Sequence, residues 1–222
     1  MSSFVLKMIA IISMFIDHIG YGIFGKFSYF NYIGRLAFPI FAFQISEGYA
    51  YTKNLKKYFF RLFLFALISQ IPFMLFTSII SSEFSLNIFF TLLLGLACIY
   101  IYDTSKYKFL GLIASILIGF IAQFCNCDYG FYGVAIILIF HIFKSNFINA
   151  SIFFVIATGI NYLIPIIKYG FHTAYLYLFI CTIISAILLA AYNGKKGKST
   201  KYLLYLFYPM HLLLIYGIHL LK

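Results

Sequence analysis

The chain has 222 residues, of which 64% are hydrophobic and 9% are charged, and its formal net charge is +11. This composition excludes a soluble domain, because a soluble surface needs more polar residues than the chain contains. The positive charge does not indicate a nucleic-acid partner, because lysine and arginine accumulate in the cytoplasmic loops of membrane proteins.

Apolar runs of about 18–25 residues follow one another along the chain and predict transmembrane helices. We place nine, at residues 5–25, 32–52, 58–79, 86–103, 109–124, 130–144, 147–164, 172–192 and 202–220. The predicted fold is an all-α polytopic membrane protein, with one transmembrane domain over residues 1–222 in the cytoplasmic membrane. The first run is not expected to be a cleavable signal peptide, because its apolar core is too long and no small-residue cleavage site follows.

The positions of the 16 lysine and arginine residues predict the orientation of these helices. If the N-terminus is cytoplasmic, the outside segments contain only Lys26, Arg35, Lys168 and Lys222, and the other 12 cations lie on the inside. This asymmetry predicts a cytoplasmic N-terminus and an outside C-terminus.

The first predicted helix contains "SMFIDHIGYG", in which Asp17 and His18 stand among apolar residues. A carboxylate in a membrane helix costs roughly 2.5–3.5 kcal/mol, which favours a functional role for Asp17 over a polar contact between helices. Neighbouring residues on a helix point about 100° apart, so Asp17 cannot orient His18 directly. A group that orients His18 is expected from another helix, and His18 itself is either a catalytic or ligand-binding residue or a structural histidine.

The second predicted helix reads "YIGRLAFPIFAFQISEGYAY". Arg35 lies at its outer end, where an arginine that only reaches the membrane surface would be ordinary. Pro39 is expected to kink the helix. Glu47 is the second acid inside a predicted helix, whereas Glu83 and Asp103 fall in or beside loops and need no functional explanation.

Polar side chains also occur in the later helices and in the loop before the sixth. The last helix contains "FYPMHLLLI", in which Pro209 frees the carbonyl of Tyr205 and offers His211 a local polar pocket. Polar groups from at least five helices fall at the level of the outer half of the membrane, which predicts a cavity that opens outward. The residues at this level are Asp17, His18, Arg35, Gln70, Asn87, Thr91, Asp128 and Tyr129.

Two cysteines share the loop "CNCDYG", and a strained disulfide between Cys125 and Cys127 remains open. Two cysteines are too few for a zinc site with four ligands, so no metal is predicted.

The segment "YNGKKGKSTKY" at residues 192–202 contains the letters GKST. A phosphate-binding P-loop needs an earlier glycine at the position that Tyr192 occupies, so this motif is rejected. The segment is predicted to be a cytoplasmic basic loop that attracts anionic lipid or a phosphate-bearing cofactor.

Six stretches of the chain resemble the TraX family of membrane proteins: "MFIDHIG", "GRLAFPIFAFQISEGY", "RLFLFALISQIPF", "NIFFTLLLG", "CDYGFYGV" and "YPMHLLL". They run from the first helix to the last, and the combination is specific although each piece alone is weak. The resemblance implies an acetyl-CoA-dependent membrane acyltransferase, because the family's named member acetylates the N-terminal amine of a conjugative pilin subunit. The family is also similar to membrane enzymes that pass acetyl groups from cytoplasmic acetyl-CoA to acceptors on the far side.

This resemblance implies roles for the polar residues. His18 is the expected general base, with Asp17 or Glu47 orienting the site or balancing its charge. Arg35 is expected to stabilise an oxyanion or an acceptor anion, and His211 is a second candidate base or an acetyl-carrying nucleophile. The expected substrate-binding residues are Glu47, Gln70, Asn87, Thr91, Asp128 and Tyr129, and the expected residues for the coenzyme A phosphates are Lys195, Lys196, Lys198 and Lys201.

Two other functions remain open. Intramembrane Asp, Glu and His residues and the helix breaks expected near Pro39, Pro72 and Pro209 would suit a proton-coupled transporter or channel. Against it, the acids cluster outward and no inverted repeat is visible. A structural partner in a secretion assembly would tolerate substitution of Asp17 and His18. The acceptor of an acyltransferase could be a pilin amine, another protein, or a cell-surface glycan or lipid.

Overall fold

The structure is a computed structural model that describes residues 1–24, 28–198 and 202–221. Within these ranges the chain is helical, without a β-strand. The ten described helices are α1 (Ser3–Phe24), α2 (Tyr29–Gly34), α3 (Ala37–Tyr51), α4 (Leu55–Thr77), α5 (Ile88–Thr104), α6 (Lys108–Phe124), α7 (Gly130–Ile142), α8 (Phe147–Tyr169), α9 (Thr173–Ala190) and α10 (Leu203–Leu220). The all-helical class predicted from the sequence is confirmed.

Nine of these helices correspond to the nine predicted ones, and the six-residue α2 is additional. The helix predicted at 32–52 is divided into α2 and α3 by a turn at Arg35 and Leu36, directly after Gly34. The interruption expected from Pro39 is seen as this break, because Pro39, the third residue of α3, has no N–H to donate to the carbonyl of Arg35. A proline in the first helical turn costs little, since its missing N–H would have no partner within the helix.

The described helices include five that are long and apolar enough to cross a membrane, namely α1, α4, α8, α9 and α10. Helices α5, α6 and α7 are also apolar but have 17 residues or fewer. At 1.5 Å per residue, 17 residues span ~25 Å, slightly less than a bilayer core of ~30 Å. The chain is therefore a membrane protein, and the nine crossings and the orientation of the termini stay predictions.

The described chain forms two compact units. Unit 1 contains Met1–Phe41, Ile71–Glu83 and Thr158–Lys222, and unit 2 contains Ala42–Gln70 and Phe84–Ala157. In unit 1, α1 packs against α2 and α10. In unit 2, α5, α6 and α7 pack against one another. The single transmembrane domain expected over residues 1–222 stays a prediction.

Glycines allow close helix contacts inside each unit. A Cβ atom on Gly22 of α1 would collide with Ile215 of α10, and one on Gly95 of α5 would collide with Ile137 of α7. Small residues at such positions let neighbouring helix backbones approach, which is how membrane helices gain packing energy. These contacts fix α10 beside α1 in unit 1 and thereby position the polar groups described below.

Candidate functional site

A buried ion pair joins α1 to the turn after α2 in unit 1. The Nη2 atom of Arg35 donates to both carboxylate oxygens of Asp17, at 3.1 and 3.2 Å. The side chains of Asp17 and Arg35 are only 12% and 18% exposed. Since an isolated buried charge is very costly, the paired guanidinium explains why an apolar helix can carry Asp17.

Asn31 of α2 is the third member of this cluster, and the sequence did not single it out. Its Nδ2 atom donates to the Asp17 carboxylate at 3.0 Å and to the Asp17 backbone oxygen at 3.1 Å. Its Oδ1 atom accepts from the backbone N–H of Ser28 at 2.7 Å. The spacing of Ser28 and Asn31 is that of a capping box, which is the sequence signal that could have found it.

Gly34 is the residue that lets the end of α2 approach Asp17. A Cβ atom at this position would overlap the Asp17 side chain. This close approach leaves Asp17 enclosed by Gly34, Asn31 and Arg35. The face of α1 that carries Asp17 therefore packs against these three residues.

The next residue of α1, His18, faces α10. The Nδ1 atom of His18 lies 2.7 Å from Nε2 of His211, and the two rings are nearly parallel, with planes 6° apart. The Nδ1 atom of His211 lies 2.7 Å from the backbone oxygen of Phe207. This is a different carbonyl from that of Tyr205, which Pro209 was expected to free. As expected, the group that contacts His18 comes from another helix.

The carbonyl of Phe207 determines which ring nitrogens of His211 and His18 carry a hydrogen. A carbonyl can only accept, so Nδ1 of His211 carries the hydrogen, and Nε2 of a neutral His211 is then an acceptor. Nδ1 of His18 must donate to it, which leaves the lone pair of a neutral His18 on Nε2. In the described part of the chain, no residue hydrogen-bonds this nitrogen, so it is available as a base.

Aromatic rings surround the histidine pair. Phe207 stacks on His211 with ring centroids 4.6 Å apart, and Phe76 lies 4.9 Å from His18. His211 is 3% exposed, whereas His18 is half-buried. The pair therefore lies in an apolar environment, in which hydrogen bonds gain strength, and His18 is the more accessible of the two rings.

The residues predicted to bind substrate, namely Glu47, Gln70, Asn87, Thr91, Asp128 and Tyr129, all lie in unit 2. Oε1 of Gln70 accepts from the side chain of Asn87 at 2.8 Å and from its backbone N–H at 3.1 Å. Nε2 of Gln70 donates to the backbone oxygen of Ser85 at 2.8 Å. Asn87 caps α5 by accepting from the N–H of Phe89 at 3.0 Å. The two amides thus join α4 to the segment that enters α5.

The loop before α7 is joined to α5 through backbone groups. Thr91 donates to the backbone oxygen of Asp128, and the N–H of Asp128 donates to the backbone oxygen of Leu86 at 2.8 Å. Tyr129 has a φ of 63° at the start of α7, a left-handed conformation that is unusual for tyrosine. Glu47 is half-buried in α3. A substrate-binding role for these residues stays a prediction.

Replacing Gln70 with alanine is expected to lower the free energy of unfolding by about 1–3 kcal/mol, because the buried Asn87 side chain and the half-buried Ser85 carbonyl lose a hydrogen-bond partner. Thermal unfolding of the purified protein in detergent measures this. Gln123→Ala is the control, since the exposed Gln123 accepts one hydrogen bond at 3.3 Å. Unchanged stability combined with lost substrate binding in Gln70→Ala would instead support a direct contact with substrate.

Asp103 does need an explanation, contrary to the expectation from its place beside a loop. It lies in the last turn of α5, and its Oδ1 atom is 3.0 Å from Nε2 of His141 in α7. Neither residue was among the predicted site residues. The sequence gives no signal that these two residues pair, because they lie on different helices. Their contact depends on how α5 packs against α7.

The basic loop before α10 lies against the start of α1. The N–H groups of Ser3 and Phe4 donate to the backbone oxygens of Lys195 and Lys196, at 2.8 and 3.1 Å. This contact brings Lys7 of α1 into electrostatic range of Lys196. The described cations of this cluster are Lys7, Lys195, Lys196 and Lys198, and Lys201 lies outside the described residues. No carboxylate among the described residues forms an ion pair with them.

Cys125 and Cys127 are free thiols in the structure, exposed and buried respectively. Burial raises the pKa of Cys127 to about 11, and Cys125 and Asp128 add to the rise. The Cys127 thiol therefore stays protonated near neutral pH and is a poor nucleophile.

Residues 2–219 match the family model described as TraX protein. The chain is 29% identical over 235 residues to a probable fimbrial assembly protein, FimC of serogroup H1, from Dichelobacter nodosus. That match covers 96% of this chain and 94% of the relative. An uncharacterised protein of Rickettsia prowazekii strain Madrid E is 31% identical over 139 residues, which are 60% of this chain and 52% of that protein. No solved structure matches the chain.

Proposed function

Because the chain belongs to the TraX protein family, we propose that it is an integral membrane acyltransferase. In this proposal it moves an acetyl group from cytoplasmic acetyl-CoA to an amine or hydroxyl acceptor at the outer side of the cytoplasmic membrane. The observation that carries the proposal is the hydrogen-bonded series from Phe207 through His211 to His18, which directs the lone pair of His18 onto Nε2.

In the proposed reaction, Nε2 of His18 takes the proton of the acceptor amine or hydroxyl as its nitrogen or oxygen attacks the thioester carbonyl. The new bond forms to the carbonyl carbon, the carbon–sulfur bond breaks, and His18 returns its proton to the departing thiolate. Arg35, held by Asp17, stabilises the oxyanion. His18 ends each cycle in its starting form.

His211 fits a positioning role better than that of the acetyl-carrying nucleophile. Both of its ring nitrogens are engaged, Nδ1 with Phe207 and Nε2 with His18. A nucleophile needs a free lone pair, so direct transfer with His18 as base is the mechanism that the geometry supports best.

The basic loop supports the donor part of the proposal. Lys195, Lys196 and Lys198 lie together with Lys7 and have no described carboxylate partner, so an anion would relieve their mutual repulsion. The three phosphates of coenzyme A carry such charge, and lysine binds phosphate as a point charge.

Replacing Lys195, Lys196 and Lys198 together with glutamine is expected to weaken binding of labelled acetyl-CoA by roughly 10-fold or more, because three favourable charges are removed. The salt dependence of binding should fall as well. The exposed Lys168, which lies over the Tyr169 ring, provides the control Lys168→Gln. Equal affinity of the triple variant and the wild type would place the donor phosphates elsewhere.

The acceptor is proposed from the name of the relative in Dichelobacter nodosus, which is a probable fimbrial assembly protein. We take a pilus component or another cell-surface protein, glycan or lipid as the acceptor class. The first test is binding of labelled acetyl-CoA to the purified protein in detergent, followed by release of coenzyme A. A proton-coupled transporter would bind no acetyl-CoA, so that result would overturn the proposal.

A further inference from the structure

An acid–histidine contact, Asp103 with His141, lies in unit 2 at the ends of α5 and α7. The imidazole is 3% exposed, whereas the carboxylate is 35% exposed and reaches the surface. The Tyr49 ring packs edge-on against His141 with centroids 5.3 Å apart, and its hydroxyl interacts with the Asp103 carboxylate. Two neighbours thus hold a carboxylate that remains accessible.

His141 holds the Asp103 carboxylate from one side. A carboxylate oxygen can only accept, so Nε2 of His141 donates to Asp103. The other ring nitrogen, Nδ1, is buried, and among the residues that the structure describes nothing hydrogen-bonds it. The imidazole therefore has one side-chain hydrogen-bond partner, the carboxylate that it orients.

Seven cations belong to the helix ends and loops at this end of unit 2. The ring contacts of Tyr49 with His141 and of Phe59 with Tyr100 bring the end of α3 and the start of α4 to the ends of α7 and α5. The cations of these helix ends and their loops are Lys53, Lys56, Lys57, Arg61, Lys106, Lys108 and Lys144.

None of these cations neutralises Asp103. Among the described residues, no lysine or arginine lies within 4.0 Å of its carboxylate. Lys108 contacts the backbone oxygens of Tyr102 and Asp103 instead, at 2.9 and 3.1 Å. This end of unit 2 therefore presents a partly exposed carboxylate without a lysine or arginine partner, on helix ends and loops that carry separate positive charges.

We propose that this surface binds an aminoalkyl phosphate, with its ammonium group at Asp103 and its phosphate at the surrounding lysines. A zwitterion of this kind satisfies both charges at once, which a simple anion or a simple cation cannot do. The ethanolamine headgroup of a phospholipid has this chemistry, and loops rich in lysine are found at the membrane surface where headgroups lie. This inference is independent of the proposed acyl transfer.

Native mass spectrometry of the full chain, exposed to an equimolar mixture of phosphatidylethanolamine and phosphatidylcholine with the same acyl chains, tests the proposal. The two headgroups have the same charge, but choline has no N–H to donate to Asp103. We expect wild type to retain phosphatidylethanolamine about 10-fold more than phosphatidylcholine, in keeping with one charge-assisted hydrogen bond. Asp103→Asn should retain the two lipids almost equally, whereas Glu83→Gln, which neutralises an exposed loop carboxylate, should keep the preference.

His141→Phe provides a second variant, because it preserves a ring of similar size but removes the N–H that orients Asp103. It should lower the preference while thermal unfolding shows that the protein stays folded. Displacement of the lipid by millimolar phosphoethanolamine would identify a soluble aminoalkyl phosphate as the ligand, and failure to displace would identify the lipid headgroup. Equal retention of the two lipids by wild type, or an unchanged preference in Asp103→Asn, would overturn the proposal.

Discussion

Replacing His18 with alanine should lower the rate of acetyl transfer by roughly 10²–10⁴-fold, the usual contribution of a general base. Acetyl-CoA binding should stay close to that of wild type, because the proposed donor contacts are the lysines of the basic loop. The measurement is release of coenzyme A from labelled acetyl-CoA in the presence of an amine or hydroxyl acceptor, with protein purified in detergent. A variant with normal turnover would show that His18 is not the base.

His219→Ala is the matched control for this experiment. His219 is another histidine of α10, and its Nδ1 atom lies 3.2 Å from the backbone oxygen of Gly22, outside the histidine pair. It should retain transfer. His211→Phe should lower kcat with little change in donor affinity, since it removes the acceptor that fixes the proton on Nδ1 of His18. Lost transfer in the His219 variant would indicate a packing defect near α10 rather than a specific role for the pair.

The sequence could predict which residues of unit 1 are unusual, but not which of them meet. Asp17 and His18 stand out because polar side chains are expensive in a membrane helix. Their partners depend on the rotation of α1 against α2 and α10, which the spacing within one helix does not determine. Asn31 was missed because an uncharged amide beside a predicted helix start carries no such energetic signal.

The break between α2 and α3 shows a second limit of sequence patterns. Apolar residues predominate from Tyr32 to Tyr51, and the length of this segment suits one membrane-spanning helix. Gly34 lowers the helix propensity at the break, and the contacts of Asn31 and Arg35 with Asp17 compensate for the lost helical hydrogen bonds. A tertiary contact thus decides the local structure.

Loss of the Asp17 carboxylate is expected to destabilise unit 1 strongly. Asp17→Ala leaves the Arg35 guanidinium without its counter-ion, and Arg35→Ala leaves Asp17 without its cation. Removing one member of a buried pair costs roughly 3–5 kcal/mol. Thermal unfolding in detergent should show a large decrease in Tm for each single variant, whereas Lys168→Ala, which removes an exposed cation, should change it little.

The double variant Asp17→Ala with Arg35→Ala separates a direct pair from two independent contributions. If the two charges stabilise each other, the double variant should be clearly more stable than the sum of the single effects predicts, because no buried charge remains unpaired. Simple additivity would show that the contact contributes little. Because the proposed mechanism needs the Arg35 cation, the double variant should regain stability without regaining transfer, which distinguishes the chemical role of the pair from its structural one.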